Sequence, residues 1–151
     1  MSEITISEKW AEIIGDMEGD DIVLEIRVAS ADLDKQNALL KLLKTKKYNV
    51  KYFFAGQEMD LPSTVGFETF LSDESKEVII DLRTCKLYYY FNAVNEMEFY
   101  TDSVLHLSDR EAATLFEFIH QLGNFMHSKI YLYIESYPRY SYVFDPTKPN
   151  R

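Results

Sequence analysis

A single cysteine, Cys85, stands in 151 residues, so one chain can build neither an intramolecular disulfide nor a cysteine metal cluster. A reducing compartment follows as the expected one. The five glycines are isolated, at Gly15, Gly19, Gly56, Gly66 and Gly123, and neither a phosphate-cradling loop nor a dinucleotide fingerprint can be written from them. Long apolar runs are missing too: the stretch Leu87 to Phe91 is far below the roughly 20 residues a membrane helix needs. The first ten residues lack the basic segment followed by an apolar run that marks a secretory signal. The chain therefore reads as a soluble cytoplasmic protein with no membrane contact. Basic residues are scarce as well, with 16 Lys and Arg against 25 Asp and Glu and a formal charge of −9. That field repels a polyanion, so direct nucleic-acid binding is not expected, and a basic protein partner suits it better. Acidity of this size also serves solubility alone.

What is present suits one compact domain spanning 1–151. Apolar residues make up 46% and aromatics 15%, enough to bury a core, and no repeat, linker or low-complexity tract divides the chain. Trp10, Ile13, Ile14 and Met17 fall at helical spacing behind Ser7, a candidate cap. Ile22 to Val28 alternates as a half-buried strand. Asp32 and Asp34 open an amphipathic helix carrying Leu39, Leu40, Leu42 and Leu43, and a strand follows over Tyr48 to Phe54, so 22–54 can be written as a β-α-β unit. The stretch Ala55 to Asp73 reads as a long loop with a short strand near Phe67 to Leu71. Val78 to Leu82 and Leu87 to Asn92 form a hairpin, Glu96 to Thr101 adds a third arm, and Val104 to Leu107 reads as another short strand.

Ser108-Asp109-Arg110-Glu111 is a capping box, and Ala112, Leu115, Phe116, Phe118, Ile119, Leu122, Phe125 and Met126 behind it predict a long helix over 108–126 packed on a sheet. Lys129 to Glu135 and Tyr140 to Phe144 are two last strands, and 145–151 reads as a flexible tail. The expected fold is α+β, a mainly antiparallel meander with two to three packed helices.

Two features stand out as candidates for function. Residues 35–51 hold six lysines and no acid; because the acids open this helix and the lysines close it, the helix dipole accounts for the order. The second feature is tyrosine, of which there are 11. If Leu87, Tyr89 and Phe91 point to the core, together with Ile130, Leu132 and Ile134, then Tyr88, Tyr90, Tyr131, Tyr133, Tyr140 and Tyr142 point the other way. With Glu96 and Glu98 they make a candidate partner-binding surface, since a tyrosine ring offers contact area at small entropic cost. The competing expectation is that helix 108–126 covers that face. Base stacking on such a sheet is disfavoured by the neighbouring Glu77, Asp81, Glu96 and Glu98.

Catalytic and metal signals are weaker. His120 and His127, seven apart, share a helix edge with Glu117 and Glu111 without matching a recognised zinc spacing. Cys85 would need His106, His120 or His127 as a base. Carboxylate pairs such as Glu77 with Asp81 arise routinely on a solvated strand face. No catalytic residue, metal or cofactor is assigned. The reading is a protein-binding module that inhibits a basic partner, in the manner of an immunity protein or antitoxin that neutralises a nuclease-type toxin, or of a decoy that mimics nucleic acid. A small hydrolase or transferase using carboxylate or histidine chemistry is one alternative, and a subunit that self-associates through the tyrosine face is another.

Overall fold

The computed structural model describes residues 6–16, 23–102, 104, 106–135 and 137–148. Eight strands form one sheet in the order β3-β2-β4-β5-β6-β1-β7-β8. They are β1 (Leu24–Val28), β2 (Asn49–Phe54), β3 (Gln57–Met59), β4 (Lys76–Asp81), β5 (Lys86–Tyr90), β6 (Glu98–Thr101), β7 (Ile130–Ile134) and β8 (Tyr140–Phe144). Every neighbouring pair is antiparallel. The helices are α1 (Ile6–Asp16), α2 (Leu33–Thr45), the short α3 (Phe67–Leu71) and α4 (Asp109–Met126). The fold is thus α+β with an antiparallel sheet and one long helix.

Period-two alternation in the strands sorts side chains onto two faces. Leu24, Ile26, Val28, Val78, Ile80, Leu87, Tyr89, Phe99, Ile130, Leu132 and Ile134 are buried on one of them. The apolar stripes of three helices close over that face. α4 is the keystone: Phe116 meets Trp10 of α1 edge-on with ring centroids 6.4 Å apart, and Phe118 meets Phe99 of β6 at 5.8 Å. Each such ring withdrawn from water contributes roughly 1.5–3 kcal/mol. The indole of Trp10 also donates to Leu107 O at 3.1 Å, so α1 is fixed by a hydrogen bond as well as by packing.

The capping box at the head of α4 forms as the sequence implies. Glu111 N donates to Ser108 Oγ at 3.2 Å, and Ser108 N donates to the Glu111 carboxylate at 3.0 Å. Ser108→Ala should therefore cost about 1 kcal/mol of stability, read as a lower urea midpoint at unchanged slope. A variant with the wild-type midpoint would show that the cap contributes nothing.

Several expectations are corrected. Phe67 to Leu71 is α3, not a strand: Thr69 N donates to Gly66 O at 3.1 Å, and Gly66 N to Thr69 Oγ1 at 3.3 Å, closing a local turn where no partner strand is in reach. The strand in that region is β3, paired with β2 through a tight hairpin with Gly56 at φ +82°. Of Val104 to Leu107, the described residues form a turn, Leu107 N donating to Val104 O at 3.1 Å, which delivers the chain to the cap of α4. β1 and β2 do run in the same direction, four antiparallel steps apart, but three strands lie between them, so 22–54 is no adjacent β-α-β unit. Ser7 lies inside α1 rather than capping it. Met17 and Ile22 lie outside the described residues. In the C-terminal segment expected to fray, Asp145 accepts from Thr147 N at 2.9 Å and Oγ1 at 2.7 Å, making a turn; residues 149–151 are outside the described set.

Candidate protein-binding face

Among the described residues no helix packs on the second face of the sheet, because α1, α2 and α4 all bury their apolar stripes on the opposite side. Register assembles a continuous row across it. Tyr140 pairs with Tyr133, Tyr133 with Glu25, Glu25 with Tyr100, Tyr100 with Tyr88, Tyr88 with Ile79 and Ile79 with Lys51. Seven strands contribute, so at about 4.8 Å per strand the row is roughly 29 Å long. A second row beside it holds Val143, Tyr131, Arg27 and Glu98, and on the far strands Tyr90, Glu77, Phe53 and Glu58. Tyr88, Tyr90, Tyr100, Tyr131 and Tyr133 are each half-buried, and Tyr140 is 49% exposed.

The rings are tethered rather than loose. Tyr90 Oη donates to the Glu77 carboxylate at 2.6 Å and Tyr100 Oη to Glu98 at 2.9 Å. The Glu77 bond, aided by burial, pushes the Tyr90 phenol up to about 12. Burial, then the Glu98 bond, does the same for Tyr100. Both phenols are therefore protonated donors at any physiological pH. At the centre Arg27 holds Glu25 at 2.7 Å, approaches Glu98 at 3.9 Å and lies 4.1 Å above the Tyr133 ring. The Glu25 hydrogen bond raises its guanidinium pKa further. Beside it Tyr90, Asn92, Glu96, Glu98 and Tyr100 line a notch of about 50 Å³. The two carboxylates in that lining suit a cationic side chain.

The structure brings Tyr88, Tyr90, Glu98, Tyr131, Tyr133 and Tyr140 onto this one face, with Glu96 exposed in the β5–β6 connection at the notch. Tyr142 is not there. It pairs with Leu132 and points to the helix side, its ring 4.9 Å from Phe116. A bulge between Leu132 and Tyr133 inserts one residue into β8 and reverses the alternation, so Tyr140 and Tyr142 part company. The expectation that α4 roofs the tyrosines fails for the others. Tyr100, Glu25, Arg27, Phe53 and Ile79 were not singled out as members of the site. They are readable from Ile26, Phe99, Tyr52, Val78 and Ile80, since residues flanking a buried strand position face the other way.

Acids and phenols coincide only in part. Glu25, Glu58, Glu77, Asp81 and Glu98 share the face with the cations Arg27, Lys51 and Lys86, by register. Other carboxylates do local work elsewhere: Asp32 caps α2, and Asp109 and Glu111 sit in the first turn of α4. Among the described residues no three His, Cys, Asp or Glu gather as a metal-ligating group, and no helix is long and apolar enough to cross a membrane. Cys85 is buried, and that burial, with Asp102 nearby, pushes its thiol up to about 12, far from the thiolate a nucleophile requires. No protein-family model, curated protein or solved structure matches the chain.

His120 acts on the helix side. Its Nε2 lies 2.6 Å from Tyr142 Oη, its ring stacks on Phe144 with centroids 4.5 Å apart, and burial lowers its pKa from 6.5. Over the window between the two values the unfolded chain binds more protons than the folded one. This group's stabilisation is therefore complete above the unfolded value and is lost as pH falls through the folded one. His120→Gln is expected to flatten the rise in urea midpoint with pH just below the ordinary histidine value of 6.5. A gap between wild type and variant that stays constant across that window would contradict this account.

Proposed function

We propose that the chain is a protein-binding module whose open sheet face docks on a basic surface of a partner and blocks it, as an immunity protein or antitoxin blocks a nuclease-type toxin. One observation carries the reading: a row that includes Tyr140, Tyr133, Tyr100 and Tyr88 crosses seven of the eight strands, and no described helix packs over it. A standard interface buries about 800 Å² per partner, a patch roughly 28 Å on a side, and the row has that span. Because Tyr90 and Tyr100 are already held by Glu77 and Glu98, little ring freedom remains to be lost on binding. The formal charge of −9 supplies a long-range field that steers a basic partner and speeds encounter by roughly 10- to 1,000-fold. The notch at Glu96 and Glu98 then takes one lysine or arginine of that partner.

The test is capture of partners from the native host on the immobilised chain, followed by association kinetics with each purified partner at low and high salt. A basic partner, inhibited in its own activity and associating at least about tenfold more slowly between 50 and 300 mM salt, supports the reading. A neutral partner, salt-insensitive association, or capture of a second copy of the chain alone overturns it.

A further inference from the structure

On the helix side of the sheet, away from the tyrosine row, α2, the start of β2 and residues 61–64 enclose a hollow of about 580 Å³. That is within the range of roughly 300–1,000 Å³ usual for small-molecule sites. Its floor is apolar, built from Leu40, Leu43, Val50, Leu61 and Pro62. Its walls are pinned. The Asn37 side chain donates to Val65 O at 3.0 Å and accepts from Val65 N at 2.7 Å, tying α2 to the loop. On the other side the Tyr48 hydroxyl donates to Gln121 of α4, and the Tyr48 ring packs on Phe118.

The rim carries Lys41, Lys44 and Lys47, and no carboxylate lines the hollow, although the chain as a whole bears −9. None of the three makes an ion pair with a described residue. The helix dipole explains cations at the end of α2, but it does not explain this selection. Lys46 at the C-cap does not line the hollow, whereas Lys41, a turn earlier, does. The three-residue step from Lys41 to Lys44 puts both on one side of α2, and Lys47, in the turn that follows the helix, reaches the same rim.

We propose that this hollow binds a free medium-chain carboxylate, its alkyl chain on the Leu40, Leu43, Val50 and Leu61 floor and its head group among Lys41, Lys44 and Lys47. An inorganic anion would leave the floor unused, and a neutral alkane would leave the cations unmatched. The amphiphile satisfies both, and each methylene it buries should tighten binding about fourfold. The site is independent of the open face and of any protein partner docked there.

The full chain, with leucine and valine methyls labelled, is titrated by NMR with monomeric decanoate and octanoate; decanol, inorganic phosphate and phosphatidylglycerol vesicles run in parallel. Saturable shifts at Leu40, Leu43, Val50 and Leu61 are expected, with decanoate roughly 15-fold tighter than octanoate. The triple variant K41E/K44E/K47E should weaken decanoate by at least about tenfold and decanol much less. Leu61→Trp, which fills the floor from a loop position with every lysine intact, should block decanoate on its own. No shift at these methyls, equal affinity for decanol and decanoate, phosphate binding to which the chain length adds nothing, or capture by vesicles without binding of the monomer would each overturn the assignment.

Discussion

Gln36→Leu should lower the unfolding free energy by about 2–4 kcal/mol, the largest loss expected from a substitution of near-constant volume in this protein. Gln36 is fully buried on α2. Its amide nitrogen lies 3.2 Å from each of Ala93 O, Val94 O and Glu96 O, and its carbonyl accepts the Tyr89 hydroxyl. Two amide hydrogens serve three carbonyls, so at least one hydrogen is shared. Leucine fills the space but takes the Gln36 partner from a buried phenol and from the Val94 and Glu96 carbonyls, Ala93 O keeping its bond from Glu96 N, and each unmet buried group costs about 1–3 kcal/mol. Burial raises the Tyr89 phenol's pKa, so the hydroxyl stays a donor throughout the accessible pH range. Removing both ends of that bond should be milder than the sum. The double variant Q36L/Y89F is expected to recover about 1 kcal/mol relative to additivity in urea denaturation. A Gln36→Leu loss below about 0.5 kcal/mol, or strict additivity, would mean the amide is not the clamp described. The connection it holds also carries Glu96 to the notch, so this core residue positions part of the open face from the other side of the sheet.

Much of the fold was legible because alternation and helical spacing are local. β1, β4, β5, β6 and β7 show their buried and open sides in single residues: Ile26 between Glu25 and Arg27, or Tyr89 between Tyr88 and Tyr90. The capping box at Ser108 needs only four consecutive residues. Where pairing decides the outcome, the sequence was mute. Nothing in Tyr140-Ser141-Tyr142 announces the bulge against Leu132 and Tyr133 that sends Tyr142 to the core. Gln57 to Met59 is a strand only because β2 is there to pair with it. Phe67 to Leu71 carries strand-forming residues but has no neighbour, and local hydrogen bonds win. The side of the sheet on which α4 lies is a property of the whole packing, so the exposure of the tyrosines had to be seen. Arg27, the charge hub of the face, is an ordinary polar strand residue until Glu25, Glu98 and Tyr133 are placed around it.

Replacing Tyr88, Tyr90, Tyr131 and Tyr133 together by threonine should weaken partner binding at least about 100-fold while leaving the fold intact. Threonine keeps the strand preference of the positions, so the backbone has no reason to change. The open face also contributes little to the core: the residues facing the helices, Leu87, Tyr89, Ile130 and Leu132 among them, are untouched. The losses on folding are the Tyr90–Glu77 hydrogen bond, the Arg27–Tyr133 contact and the Tyr131–Tyr140 and Tyr133–Tyr140 ring pairs, all partly solvated, together worth about 2–5 kcal/mol. Binding loses far more, because four aromatic anchors and the water-excluding contact they provide disappear at once. The rate constants separate the roles of ring and charge. With all carboxylates retained, the association rate and its salt dependence should stay near wild type while dissociation accelerates, since anchors govern departure and the field governs approach. The complementary variant, Glu96→Gln with Glu98→Gln, should slow association and reduce its salt slope with a smaller change in dissociation. An equal affinity for the tyrosine-to-threonine variant and wild type, measured by surface plasmon resonance on a chain whose urea midpoint shows it folded, would place the contact elsewhere on the molecule.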